Sequence, residues 1–443
     1  MDSSNQTHTR ASITPDEITS SNSSLVLEPQ EKRDFGDEVS LNTEEPPSEN
    51  TLIAWLQVLG AFFCMFNSWG IANTFGAFQT YYETGLLSHE TPSRISWIGS
   101  IQGFLLLFVG GLVTGPIYDA GHLRGLVIFG AIAGVFGMMM TSICKEYWQV
   151  VLAQGLIVGI GNGCLLLPGV AVMPQYFIKR RAFTTGIAAS GSSLGGVIYP
   201  IIFHKLQPRI GFPWATRVLA FIMLVTLMVP ICVMRAKVFP SKRRPLFDKN
   251  ILRDLPYDFF TLGEFFGFMG MYIPFYYISS YSIAHDIGSE NLSFYFLIII
   301  NAGSIFGRIV PNFFADITGP LNISMPFCLG CGIIAFCWTS VQSLPQIILF
   351  SIFYGFFSGT FVSITGPALA TLSNDMSLVG THMGMSFTFG ALGLLVGNPV
   401  AGVLLNKGWV APATFCGSAN VLAALCILIA RVKKVGWKLK VKA

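Results

Sequence analysis

The chain has 443 residues, of which 52% are hydrophobic and only 11% charged, with a mean hydropathy of +0.60. A soluble domain carries about 25% charged residues, so a chain this long with so few charges cannot wet its own surface and is read against lipid. The formal net charge of +4 gives no reason to expect nucleic acid as a partner.

The first element, residues 1–50, differs from all that follows. It holds eleven Asp/Glu and three Lys/Arg, many small polar residues and few large apolar ones. Such a stretch cannot bury enough surface to offset its ordering entropy. It reads as a disordered acidic cytosolic tail, without the basic and apolar regions of a signal peptide.

A helix needs about 20 apolar residues to cross a bilayer. From Thr51 onward, twelve such segments follow: 52–76, 95–116, 124–143, 147–173, 183–203, 214–234, 257–281, 291–313, 323–342, 346–371, 378–405 and 411–431. With both termini placed in the cytosol, the inner loops and tail carry seventeen Lys/Arg and the outer loops six. That asymmetry follows the positive-inside rule. The expected fold is an all-α membrane protein of twelve transmembrane helices in two pseudo-symmetric six-helix bundles. The bundles run over 51–234 and 257–432, joined by a basic cytosolic linker at 235–256, with a basic tail at 433–443.

The two halves echo one another. "GPIYDAG" (115–121) after the second span is matched by "NFFADITG" (312–319) after the eighth. "GLIVGIGNGCLLLPG" (155–169) in the fourth is matched by "GFFSGTFVSITGP" (355–367) in the tenth. Leu194-Gly195 with Pro200 is matched by Leu392-Gly393 with Pro399. Parallel repeats of this kind mark a two-halved transporter with its site between the halves.

At the mouth of the fifth span stands "YFIKRRAFTTGIAASGSSLGG" (176–196). Lys179, Arg180 and Arg181 are explained by topology, with lipid phosphate as a further contact. Gly186, Gly191 and Gly195 offer a close-packing surface. "GIGNG" (159–163) lies inside an apolar span rather than after a strand, so it too reads as packing and not as a dinucleotide loop.

These stretches resemble the major facilitator superfamily, and the last resembles the signature of its monocarboxylate porter family. Tyr176, Phe177, Lys179, Arg180, Arg181, Gly186, Ala188, Gly191 and Gly195 match it, while Phe183, Thr184 and Ser190 depart conservatively. The first span, 54–82, looks like that of fungal members. The resemblance implies the major facilitator fold and secondary active transport. In the family's animal lactate carriers, a lysine in the first helix and an aspartate–arginine pair in the eighth handle proton and carboxylate. The corresponding positions here are Asn73, Ser304 and Arg308. Simple lactate or pyruvate symport is therefore disfavoured, and a larger or differently charged organic solute is favoured.

Charges within a span are functional candidates by default. Arg308 and Glu264 enter the membrane from the same side to similar depth, about 9 Å for Arg308 at 1.5 Å per residue. A Glu264–Arg308 ion pair that gates the cytosolic mouth or couples a proton is the expectation. Asn73 and Asn301 are polar candidates for solute contact, with helix–helix hydrogen bonding as the bland alternative. Tyr272 and Tyr276, with Tyr277 and Tyr281, share a broad face of the seventh span and suit an aromatic solute or a packing belt. Asp119 with Arg124, and Asp316, are expected to latch the cytosolic loops.

No P-loop, zincin motif or paired intramembrane carboxylate accompanies them, so no enzymatic activity and no cofactor is expected. His204, His285 and His382 lack metal-ligand spacing, and no metal is expected. The nine cysteines, including the pair Cys328 and Cys331, read as apolar packing. Asn291-Leu-Ser293 is a sequon too near the membrane to be used.

The function expected is alternating-access transport of a small organic-acid-like solute or secondary metabolite, by efflux and proton-coupled, at the plasma membrane. Import of a monocarboxylate or a vitamin such as riboflavin is the alternative, and a non-transporting sensor is a third reading. Lipid and protons are the other partners, and a monomer suffices.

Overall fold

The computed structural model describes residues 51–237, 246–373, 378–437 and 441, excluding the side chains of Glu290 and Asn291. The acidic tail 1–50, Lys242, Arg243 and Arg244 of the linker, Lys438, Lys440 and Lys442 of the basic tail, and the sequon's asparagine lie outside these residues. The described chain belongs to one compact unit, Pro47–Ala443.

Among the described residues every regular element is helical. Ten helices are long and apolar enough to cross a membrane. Four of them open the chain: α1 (Leu52–Leu86), α2 (Pro92–Asp119), α3 (Leu123–Thr141) and α4 (Tyr147–Tyr176). The fifth is a 53-residue helix, Arg181–Val233, broken at Gly211. Its φ of 76° and ψ of 165° lie in a region essentially reserved for glycine. The break divides it into α5 (181–210) and α6 (212–233), where the sequence suggested a loop.

The next segment is interrupted. Leu255–Met271 ends at Tyr272, and Ile273–Ala284 continues, with Pro274 unable to donate back to the preceding turn. Together they form α7. The chain closes with α8 (Glu290–Thr318), α9 (Pro320–Cys337), α10 (Leu344–Leu372), α11 (Val379–Leu404) and α12 (Val410–Val435). Counted with these two breaks, the helices among the described residues are consistent with twelve spans.

Local signals explain the helix starts. Thr51 and Thr91 accept from the amides of Ala54 and Arg94, and Ser343 with Gln346 forms a capping box. The outward faces are apolar: Phe129, Ile132 and Phe136 of α3 and Phe306, Phe313 and Ile317 of α8 are half or more exposed. Lipid can solvate such a surface and water cannot.

α5 is the central packing element, lying against α1 on one side and α8 on the other. The glycines of the opening motif make this possible. A Cβ on Gly186 would meet the Arg308 carbonyl, one on Gly191 the Phe62 carbonyl, and one on Gly195 the Phe66 carbonyl. The motif is thus a packing surface, as expected. α2 and α11 pack similarly, with Gly111 and Gly384 facing each other's backbone.

Candidate functional site

The two ends of the bundle differ. At the end carrying Glu83, Ser280 Oγ of α7 donates to Glu83 Oε2 of α1 at 3.0 Å. Ser93 Oγ of α2 donates to the Pro399 carbonyl of α11 at 2.9 Å. His204 of α5 stacks on Phe294 of α8 with ring centroids 4.1 Å apart. This end is closed by contacts between the first six and the last six helices.

At the end carrying Asp119, a vestibule of about 230 Å³ opens between α2, α4 and α11, lined among others by Gly115, Asp119, Gln175, Arg181, Thr381 and Met383. Lys179 and Arg180 are exposed, but Arg181 is half-buried and faces this vestibule. The three cations of the opening motif, given one role by the sequence, therefore divide. Asp119 lines the vestibule as well, and Arg124 stands exposed. Asp316 joins two helices through backbone amides. Its two carboxyl oxygens accept from the amides of Ala182 and Phe183, each at 2.9 Å. A carboxylate at a helix N-terminus satisfies orphan N–H groups and complements the helix dipole. This cap ties the end of α8 to the start of α5.

Val170 lines both the vestibule and a smaller cavity above it, of about 40 Å³. That holds at most a few waters. Its walls include Trp69 of α1, Thr185 and Ala189 of α5, Phe268 of α7, Arg308 of α8 and Phe387 of α11. Trp69 stacks on Tyr272 at 5.6 Å with 11° between planes, and on Phe268 at 6.3 Å with 15°. These rings fill the centre of the bundle.

Arg308 is 3% exposed. Its Nε donates to Ser304 Oγ at 3.2 Å and its Nη1 to the Ala189 carbonyl at 3.4 Å. No ion pair joins it to any acid among the described residues. The expected Glu264–Arg308 pair is not formed: Glu264 points to α11, where Ser386 Oγ donates to its Oε2 at 2.5 Å. The half of α7 that carries Glu264 packs mainly on α11 and α12 and not on α8, so similar depth did not bring the two side chains together.

The three positions singled out by the resemblance meet along one stretch of α5. Asn73 Nδ2 approaches the Ser192 carbonyl at 3.5 Å, Ser193 Oγ donates to Ser304 Oγ at 3.0 Å, and Arg308 reaches the Ala189 carbonyl. A hydroxyl at 304 thus sits beside the guanidinium where an acid would have neutralised it. Asn301 Nδ2 donates to the Leu297 carbonyl at 3.0 Å, while its Oδ1, like that of Asn73, has no partner. Neither asparagine lines the Arg308 cavity, and neither does Glu264.

The tyrosines do not act as one face. Tyr272 meets Trp69, and Tyr276 packs on Phe75 of α1 at 4.9 Å. Tyr277 and Tyr281 instead donate to carbonyls of Asn398 and Val341. Sequence reasoning missed Trp69, Phe268 and Ser386. The spacing of Glu264, Phe268 and Tyr272, four residues apart on one helix face, was the available signal for Phe268.

A buried cation and aromatic wall between packed helices, with a vestibule at one end and closure at the other, are the features of a helical membrane bundle that moves a small solute. The chain belongs to the Major Facilitator Superfamily, whose family model matches residues 58–342. It is 44% identical over 383 residues to the MFS-type transporter dbaD of Emericella nidulans, covering 86% of each chain. It is 37% identical over 408 residues to the agnestins efflux protein AgnL12 of Paecilomyces divaricatus, covering 91% of this chain and 93% of that one. Against the aspyridones efflux protein apdF of Emericella nidulans the identity is 39% over 365 residues, covering 82% and 74%.

Proposed function

We propose that this protein is a secondary transporter that exports a bulky, aromatic, organic-acid-like metabolite, and that it belongs to the monocarboxylate porter branch of its superfamily. One observation carries the reading: Arg308 is buried beside Trp69 and Phe268 without a carboxylate partner. A buried guanidinium without a counter-charge is costly, and a solute carboxylate can supply that charge bidentately. The flat rings of Trp69, Phe268 and Tyr272 suit a planar body attached to that acid.

The Asp119 end is the cytosolic one by the distribution of Lys and Arg, with both termini on that side, so the vestibule admits solute from the cytosol. Relatives named for efflux of agnestins and aspyridones support export across the plasma membrane. Two six-helix halves, 51–234 and 257–432, rock about α5 and α8. Asp316 releases α5 when the Asp119 end must change, with Asp119 and Arg124 engaging in the other state. Asn73 and Asn301, each with an unpartnered amide oxygen, and Tyr276 become solute contacts in that state. Lys179 and Arg180 fix topology. Export is driven by proton exchange.

The test is a comparison of intracellular and extracellular metabolites in deletion and overexpression strains. The exported compound accumulates inside on deletion, and an Arg308→Ala allele at normal membrane abundance reproduces the deletion. Normal export by that allele sinks the reading.

A further inference from the structure

Glu264 has no accessible surface and lies where α7 packs on α11. Its Oε2 accepts from Ser386 Oγ, which in turn lies 3.0 Å from Thr261 Oγ1. Its Oε1 has no hydrogen-bond partner. With Ser386 donating to the carboxyl, Thr261 donates to Ser386, so the hydroxyls form a directed chain ending on Glu264. One helical turn toward the Asp119 end, Tyr257 Oη donates to the His382 carbonyl at 2.8 Å. The His382 ring lies between Ser373 Oγ at 2.7 Å and Asp248 Oδ2 at 3.2 Å, and Asp248 reaches the surface.

We propose that Glu264 is the proton-carrying residue of the transport cycle, unloaded toward the Asp119 end through Ser386 and Thr261 to the His382–Asp248 pair. This rests on the transport reading above. The step moves a proton alone. The Glu264 O–H bond breaks, the carboxylate keeps the electron pair, and the proton passes to water at the Asp119 end. Water on the opposite side reloads the acid once the bundle has turned.

The geometry also connects the proton to the solute. Glu264, Phe268 and Tyr272 lie on one stripe of α7, and the last two form the wall beside Trp69 and Arg308. Ser386 ties that stripe to α11, whose Gly393 and Gly397 already lie against the Phe265 and Met269 carbonyls. A change of charge at Glu264 therefore acts on the α7–α11 contact that holds the aromatic wall.

Among the described residues no cation pairs with the acid. Tyr257 and Asp258 share its helix, His382 faces it from α11 with Asp248 behind, Tyr354 comes from α10, and Cys426 and Arg431 come from α12. Arg431 is engaged by Asn322 and the Gly436 carbonyl. Arg253, ahead of α7, is exposed.

The experiment uses the full-length protein in lipid nanodiscs and needs no solute. Infrared spectra are recorded from about pH 4 to about pH 10, the range spanned by side-chain carboxyl to lysine titration. A buried carboxylic-acid C=O band that titrates, is lost in Glu264→Gln and shifts in Ser386→Ala is expected. A titrating band that survives Glu264→Gln, the absence of any titrating band, or a band unmoved by Ser386→Ala overturns the proposal. The Ser386 variant keeps the acid in place should Glu264→Gln fail to fold.

A second readout follows maleimide labelling of Met383→Cys at the vestibule, resolved by site with mass spectrometry. Divided at each pH by the rate of a small free thiol, because the thiolate is the reacting form, its rate should change about threefold or more between the acid and alkaline ends, and Glu264→Gln should abolish that residual change. Labelling that responds equally in both proteins overturns the coupling. An unchanged metabolite pool in the deletion strain would sink the export reading while leaving both measurements intact, so the two failures are distinguishable.

Discussion

Trp69 and Tyr272 lie nearly parallel, 5.6 Å apart, one on α1 and the other at the break in α7. They join the first and last six helices at the depth of Arg308 and leave a cavity of only about 40 Å³. A solute that reaches Arg308 must therefore part these rings. Stacked aromatic pairs contribute about 0.5–1.5 kcal/mol beyond their area, small enough for a bound planar solute to replace.

Trp69→Ala removes this closure. Truncating a buried Trp costs about 3–5 kcal/mol, whereas Trp69→Phe keeps a ring in place. Export by the alanine variant should fall about tenfold or more, equivalent to about 1.4 kcal/mol, with the phenylalanine variant nearer to wild type. Efflux assays normalised to membrane abundance check the order, and equal export by the two variants contradicts it.

Ser304→Asp places a carboxylate beside Arg308, one helical turn away. The new pair should hold the fold at least as well as the hydroxyl does, because it removes an uncompensated buried charge. It should also compete with the solute's acid group. The expected outcome is an unchanged or raised melting temperature together with loss of export. Retained export with a stable fold argues against an anionic solute at Arg308.

Asp316→Asn leaves one oxygen for two amides. Loss of a helix cap costs about 0.5–2 kcal/mol, and here the cap joins α8 to α5. The variant should populate a wider Asp119 end. Distances between spin labels on α5 and α8 near that end report the change, and an unaltered distribution would show that the cap plays no part in closure.

Gly186→Leu tests the packing surface of the opening motif. A side chain there meets the Arg308 carbonyl, and overpacking typically costs about 1–3 kcal/mol. Lower thermal stability and displacement of α8 are expected, so export should fall even though no solute contact has been touched. An unchanged melting temperature would show that α5 and α8 can separate freely.

Much of this architecture was legible in the sequence. Span length and the Lys/Arg asymmetry placed the helices, because lipid imposes both. The Gly-rich run of α5 announced close packing, and Gly186, Gly191 and Gly195 each face a carbonyl. The departures at Asn73 and Ser304 pointed to a cation without its usual neighbours. What could not be read was rotation about each helix axis. Glu264 and Arg308 lie on helices consecutive in sequence, yet face different neighbours. Gly211 was hidden for another reason: a break set by one residue's φ looks like a short loop from composition alone. Arg181 was indistinguishable from Lys179 and Arg180 as a charge; only its half-burial at the vestibule separates it.

The cap that Asp316 places on α5 has an uneven genetics. Its acceptors belong to a side chain, but its donors are the amides of Ala182 and Phe183, which almost any residue provides. Substitution at 182 or 183 leaves the donors in place unless proline is introduced, and no side-chain change there can restore a lost carboxylate. Suppressors of an Asp316 defect should therefore arise elsewhere, at positions that close the Asp119 end by other contacts. Drift at 182 and 183 leaves the two donors in place, and the acceptor side of this cap rests on a single codon.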